Sequence, residues 1–174
     1  DYFSAVIVMA DSAFQRPEDL RGERVAFGDV GSTSNHLAPA QLLADYGVMY
    51  RDDYEPFHTS RPIGHEAIKN GDVAALATNY RSWLRIRDDE TLPPGAFRVL
   101  ARGGDLPNDV LVVGDHVDPA LTKTMHGVFS EHSDALIDAI LAGGDENQKY
   151  VGMRFLPGVT DADYNYVRSM YATI

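Results

Sequence analysis

Apolar positions along the chain fall into short continuous runs separated by stretches with a helical repeat. Ala5-Val6-Ile7-Val8-Met9 is the first run, and residues 24–27, 72–77, 97–101 and 111–113 read the same way. Uninterrupted runs of this length suit strands buried on both faces. Between them, Leu37, Ala40, Leu43 and Ala44 share one face of a helix predicted over residues 37–46, with Gly47 as its stop. A short helix is predicted around residues 66–70, and a single turn at Arg16-Pro17-Glu18-Asp19-Leu20 with Pro in its first turn. The C-terminal third reads as helical over residues 119–130, 133–141 and 161–172, with Thr160 as N-cap and Asp163 three residues on. Strands alternating with helices predict an α/β fold with a largely parallel sheet.

At 174 residues the chain can form one compact domain or two small lobes. No apolar run approaches the ~20 residues of a membrane span, and no basic, apolar leader opens at Asp1, so any signal peptide is expected to have been removed or left out. Cysteine is absent, which excludes disulfides, thiolate catalysis and cysteine metal sites and fits an oxidising compartment. The formal net charge of −11 argues against nucleic acid as a partner. It does not exclude a small anion, because long-range repulsion is screened beyond ~10 Å and local N–H groups and Arg side chains dominate close in.

One segment carries candidate chemistry. Gly31-Ser32-Thr33-Ser34-Asn35-His36 follows a strand and opens a helix. Pro39 is comfortable only in a first helical turn, which places the N-cap near Ser34 or Asn35. Free N–H groups just beyond that cap, with three hydroxyls beside them, form an anion site. The same spacing is met by a helix that is merely capped. There is no Gly-Lys-Ser/Thr phosphate loop and no Gly-x-Gly-x-x-Gly fingerprint.

An enzyme would need an activated nucleophile or an acid–base pair. Ser32 and Ser34 lack a Gly-x-Ser-x-Gly setting, and the six histidines (36, 58, 65, 116, 126 and 132) form no metal-binding spacing. Asp88-Asp89-Glu90 reads as a solvated loop. No enzyme activity, metal or cofactor is therefore expected. Trp83, the only tryptophan, reads as core beside the candidate site.

Residues 19–27 followed by Gly31-Ser32-Thr33-Ser34 resemble the PhnD-like substrate-binding proteins of ABC importers for phosphonate, phosphite and phosphate. Asn70-Gly71-Asp72-Val73, Leu106-Pro107-Asn108-Asp109 and Thr160-Asp161-Ala162-Asp163-Tyr164 match in the family's order over nearly the whole chain. The resemblance implies a type II periplasmic-binding fold of two lobes joined by hinge strands. Residues 1–9 would be the first hinge strand, 10–96 a complete second lobe, 97–113 the return strands and 114–174 the C-terminal part of a first lobe whose N-terminal segment is missing. It implies capture of a small phosphorus oxyanion for uptake through an ABC permease, by a monomer or weak dimer in the periplasm or otherwise outside the cytoplasm, and it allows a lipid anchor in the full-length protein. The alternative is a ligand-sensing domain of a signalling protein with the same fold.

Carried over by motif, Ser32, Thr33 and Ser34 would grip the oxyanion, Tyr2 would be the hinge tyrosine, and Asp109 would hold a ligand's amino group. Asp109 also reads as a turn-forming residue. The family's histidine at the start of the helix before Gly71 has two candidates. His65 fits the local Gly-His-Glu-Ala string. A gapless alignment puts Arg61 there, which the bidentate charge of a guanidinium favours. Asn79 would donate its amide to the ligand. Where the family can carry an acid for an aminophosphonate's ammonium, this chain has Arg81, which would favour a carboxylate or a second phosphoryl oxygen.

Overall fold

The computed structural model describes residues 2–174; Asp1, at the start of the expected hinge strand, lies outside them. The chain divides into two compact units. The first runs through Asn108 and takes in Tyr164–Ile174, and the second is Asp109–Asp163.

The first unit is built on a five-stranded sheet, β1 (Phe3–Met9), β2 (Arg24–Phe27), β3 (Glu55–His58), β4 (Ala75–Asn79) and β5 (Phe97–Asp105), in the order β3-β2-β4-β1-β5. β2 pairs in parallel with β3 and β4, while β1 runs antiparallel to both β4 and β5. The expected parallel character thus holds for the β3-β2-β4 half, and β1 alone reverses. Ala5 to Val8 are fully buried at the centre, which accounts for the uninterrupted apolar run there. Helices α1 (Ala38–Asp45), α2 (Arg61–Asn70) and α3 (Tyr80–Arg87) flank the sheet. One core cluster gathers Val6, Val8, Phe27, Leu43 and Tyr50; a second gathers Ile7, Ala26, Ile68, Leu76 and Phe97, with Trp83 half-buried against it. A third joins Leu37 and Leu106 to Met170 of the C-terminal helix, with Tyr2 beside it.

Helix α2 ends as the sequence dictates. Gly71 adopts φ 77°, a left-handed C-cap that costs a glycine little. The helix is longer than expected, starting at Arg61, because Pro62 falls in its first turn where no N–H is needed. Residues 72–77 were expected to be strand throughout, but the strand begins at Ala75. The N–H of Asp72 still closes the helix end on the Ala67 carbonyl, and that of Ala74 reaches Arg24 O.

The second unit holds α4 (Pro119–Glu131) and α5 (Ser133–Leu141), close to their expected bounds, and neither contains a buried residue among those described. The strand expected at Leu111-Val112-Val113 is not formed, and these side chains are 61%, 79% and 41% exposed. β-branched apolar residues favour a strand only where a neighbouring ladder and a buried face are available, and here none is. The C-terminal stretch returns to the first unit as a turn at Asp161–Tyr164 and then α6 (Asn165–Met170). The Asp163 carboxylate accepts from the Thr160 N–H at 2.7 Å and hydroxyl at 2.9 Å, the half-box read in the sequence.

Candidate phosphorus-oxyanion site

The loop after β2 begins its helix earlier than expected. Ser32 is the N-cap, its Oγ accepting from the Asn35 N–H at 3.4 Å, and the first turn, Thr33–Leu37, is a π-turn. The wider ring explains the shift from Ser34 or Asn35: the N–H of Leu37 reaches back five residues to Ser32 O at 2.9 Å. Pro39 still leaves its mark. It cannot bond the carbonyl of Asn35 four residues earlier, and that carbonyl accepts from the Gly28 N–H at 2.9 Å instead. The N–H groups of Thr33 and Ser34 are left with no protein partner among the described residues, as the first donors of a helix are.

Beside those donors, Tyr2 OH donates to Ser34 Oγ at 2.8 Å, and Asn79 Nδ2 lies 3.5 Å from the same oxygen and 3.2 Å from Asn35 Oδ1. Asn79 Oδ1 in turn caps α3 by accepting from the Ser82 N–H at 3.0 Å. Ser82 Oγ accepts from Arg61 Nη1 at 3.2 Å. Tyr2, Ser34, Asn79 and Arg61, drawn from four separate stretches of sequence, are thereby joined in one hydrogen-bonded ridge. Asn79 and Ser34 are buried, so their polar groups are held rather than solvated.

The loop is braced from behind by a chain of rings that sequence reasoning missed. His36 Nδ1 accepts from the Gly31 N–H at 3.0 Å, which leaves the proton on Nε2 to donate to Tyr50 OH at 3.0 Å. Tyr50 OH then donates to His58 Nε2 at 2.7 Å, and His58 Nδ1–H to Gly28 O at 2.8 Å. Every donor and acceptor is assigned only if both imidazoles are neutral. Burial, with His58 and Arg51 nearby, pushes the His36 imidazole down to about 4, in keeping with that assignment.

A cavity of about 600 Å³ opens between the α2 and α3 N-terminal turns, lined by Asp29, Asn35, Thr59, Ser60, Arg61, His65, Thr78, Ser82 and Arg85. Arg61 and His65 sit one turn apart on α2 and share it. His65 Nε2 comes within 3.3 Å of Asp89 Oδ2 yet off the hydrogen-bonding direction, and is buried without a partner. Arg81 is exposed in the first turn of α3 and does not line the cavity; Arg85, one turn later and also exposed, does. That helix was missed, although Asn79 three residues before Ser82 is its capping signal. Ser32 and Thr33 are half-exposed at the loop. Asp109 is exposed and opens the second unit. No cluster of metal-ligating side chains occurs among the described residues.

A family model described as the periplasmic phosphonate substrate-binding protein of ABC transporters matches residues 1–150. The chain belongs to that family. It is 27% identical over 166 residues to the phosphate-import protein PhnD of Mycolicibacterium smegmatis, covering 87% of this chain and 51% of that protein. A binding-protein component of a Pseudomonas aeruginosa ABC phosphonate transporter superposes with TM-score 0.64 at 18% identity, over 98% of this chain and 56% of that one. The Xanthomonas citri protein XAC2383, bound to chloride ion, gives TM-score 0.68 at 19% identity over 99% of this chain and 64% of its own. These likenesses establish the periplasmic-binding fold expected from the phosphonate-binding motifs. The chain spans about half the length of the curated relative it matches. No helix among the described residues is long and apolar enough to cross a membrane.

Proposed function

We propose that the protein carrying this chain captures a small phosphorus oxyanion outside the cytoplasm and delivers it to an ABC permease. One observation carries the reading. In a chain of the phosphonate-binding family, the unpaired N–H groups of Thr33 and Ser34 stand beside the Tyr2–Ser34–Asn79 cluster. Donors without acceptors at a helix start, backed by hydroxyls, suit a tetrahedral anion. Ser32, Thr33 and Ser34 would hold the phosphoryl oxygens, Tyr2 and Asn79 would complete the grip, and Arg61 would supply charge, with His65 behind it. Residues 10–96 would act as one lobe between hinge strands. The role is binding for transport rather than catalysis, as in the family.

Thermal-shift measurement on the full-length protein tests this. Inorganic phosphate, phosphite and methylphosphonate are compared with chloride, nitrate and succinate. A ligand at 100 times its Kd should add about 2.7 kcal/mol of stability. Stabilisation by one or more of the three phosphorus compounds supports the reading; equal indifference to all three sinks it.

A further inference from the structure

Five arginines of the first unit pair with carboxylates: Arg16 with Asp19, Arg21 with Asp53, Arg24 with Glu55, Arg87 with Asp88 and Arg102 with Asp105. The two that line the cavity do not. Arg61 makes a single hydrogen bond, to Ser82, and Arg85 makes none among the described residues. Among the described residues Arg51, Arg81 and Arg98 of the same unit also lack a carboxylate partner, so what distinguishes Arg61 and Arg85 is that both line one cavity, in a chain where 26 acidic side chains make carboxylates plentiful.

Their setting sharpens this. Arg61 is the first residue of α2, where the helix dipole disfavours a cation, and the Ser60 side chain caps nothing. Both would be relieved by an anion placed at that helix start. The cavity also holds an orphaned polar atom: Thr78 is 2% exposed and its Oγ1 has no partner, whereas His65 Nε2, without a hydrogen bond, lies 3.3 Å from Asp89 Oδ2. A buried hydroxyl without a partner is costly to keep, and a ligand oxygen would supply the missing bond. Finally, about 600 Å³ is far more room than one tetrahedral oxyanion fills and lies within the range of organic-ligand pockets.

We infer that the α2–α3 cavity seats a second anionic group of the same ligand, so that the bound molecule is a phosphorus oxyanion bearing a carboxylate or a second phosphoryl. The inference rests on the function proposed above, with the phosphoryl at the Ser32–Ser34 loop. The ridge through Asn79 and Ser82 connects the two positions. Arg61 joins that ridge at Ser82, and Arg61 and Arg85 both line the second position. The guanidinium fork of Arg85 matches either a carboxylate or a phosphoryl, so the two chemistries share one recognition.

Isothermal titration calorimetry on the full-length protein separates the possibilities. Methylphosphonate is compared with phosphonoacetate, 3-phosphonopropionate, 4-phosphonobutyrate and methylenediphosphonate. At least one doubly anionic compound should bind tenfold or more tighter than methylphosphonate, and the tightest shows whether the second group is carboxylate or phosphoryl. Arg85→Gln should bring that ratio down toward one. Arg87→Gln, which removes an exposed arginine paired with Asp88 on the same helix, should leave the ratio as in the unaltered protein. Tight methylphosphonate binding with no preference for a second charge overturns the inference and leaves the proposed function standing. A preference that survives Arg85→Gln also overturns it. If none of the phosphorus compounds binds, both fail.

Discussion

The N–H of Gly31 donates to His36 Nδ1 at 3.0 Å, and this one bond sets the protonation state of the ring chain behind the Ser32–Ser34 loop. Protonated at Nδ1, His36 would turn a donor toward a donor. The native ring resists protonation until about 4, whereas an unfolded histidine takes its proton near 6.5. Between those values the unfolded chain binds the extra proton, so stability rises with pH. It is complete above about 6.5, is lost progressively as pH falls toward 4, and loses nothing further from this group below that. The ceiling is about 3 kcal/mol by linkage. Urea denaturation at stepped pH should show this slope, and His36→Gln should flatten it. An equal slope in the variant would assign the effect to other groups.

Tyr50→Phe removes the middle link. It leaves His36 Nε2–H without an acceptor and His58 Nε2 without a donor, both within the buried aromatic cluster around Phe27. The expected loss is about 1–3 kcal/mol, since the buried His36 and the half-buried His58 lose partners at once. Tyr54→Phe is the comparison. Its buried hydroxyl has no partner, so deleting it should cost little or even stabilise. Chemical denaturation of the two variants side by side checks the contrast.

The central strand, the α1 face and the helices of the second unit were legible in sequence because each depends on local periodicity. Tyr2, Ser34, Asn79 and Arg61 were legible only as motif matches; that they form one ridge depends on β1, β4 and the two loop helices meeting, which no local pattern encodes. His36, Tyr50 and His58 gave no signal, being an ordinary helix residue, a loop tyrosine and a strand end. Arg81 was legible from its place in the family's motif, whereas Arg85 gave no signal because α3 went unrecognised. Its buried positions, Ser82 and Ile86, are four apart, but the serine hides the apolar stripe. Leu111-Val112-Val113 misled in the opposite sense, a strand composition with no sheet to join.

Gly28 shows how closely the loop is fitted. A Cβ added there would lie 2.7 Å from Asn35 Cβ, an atom with no freedom to swing aside. Gly28→Ala should therefore cost about 1–3 kcal/mol. It should also weaken oxyanion binding, because Asn35 holds both Ser32 and Asn79. Gly104→Ala, where nothing lies within 4 Å, should be neutral or slightly stabilising. Thermal melts with and without methylphosphonate distinguish a bent loop from a general loss.

Asn79 separates binding from folding by the order of two variants. Its Oδ1 caps α3 and its Nδ2 points to Ser34 and Asn35. Asn79→Ala deletes both, and losing the cap should cost about 1 kcal/mol. Asn79→Asp keeps an acceptor for the Ser82 N–H, and a negative charge at a helix start is favourable, so it should be the more stable of the two. Toward an oxyanion at the Ser34 hydroxyl the order reverses. Alanine withdraws one donor, whereas aspartate sets a like charge beside the ligand and should bind it at least tenfold more weakly than alanine does. Calorimetric titration with methylphosphonate, read against melting temperature, gives both orders. If aspartate is the better binder as well as the better folder, Asn79 serves only as the cap of α3.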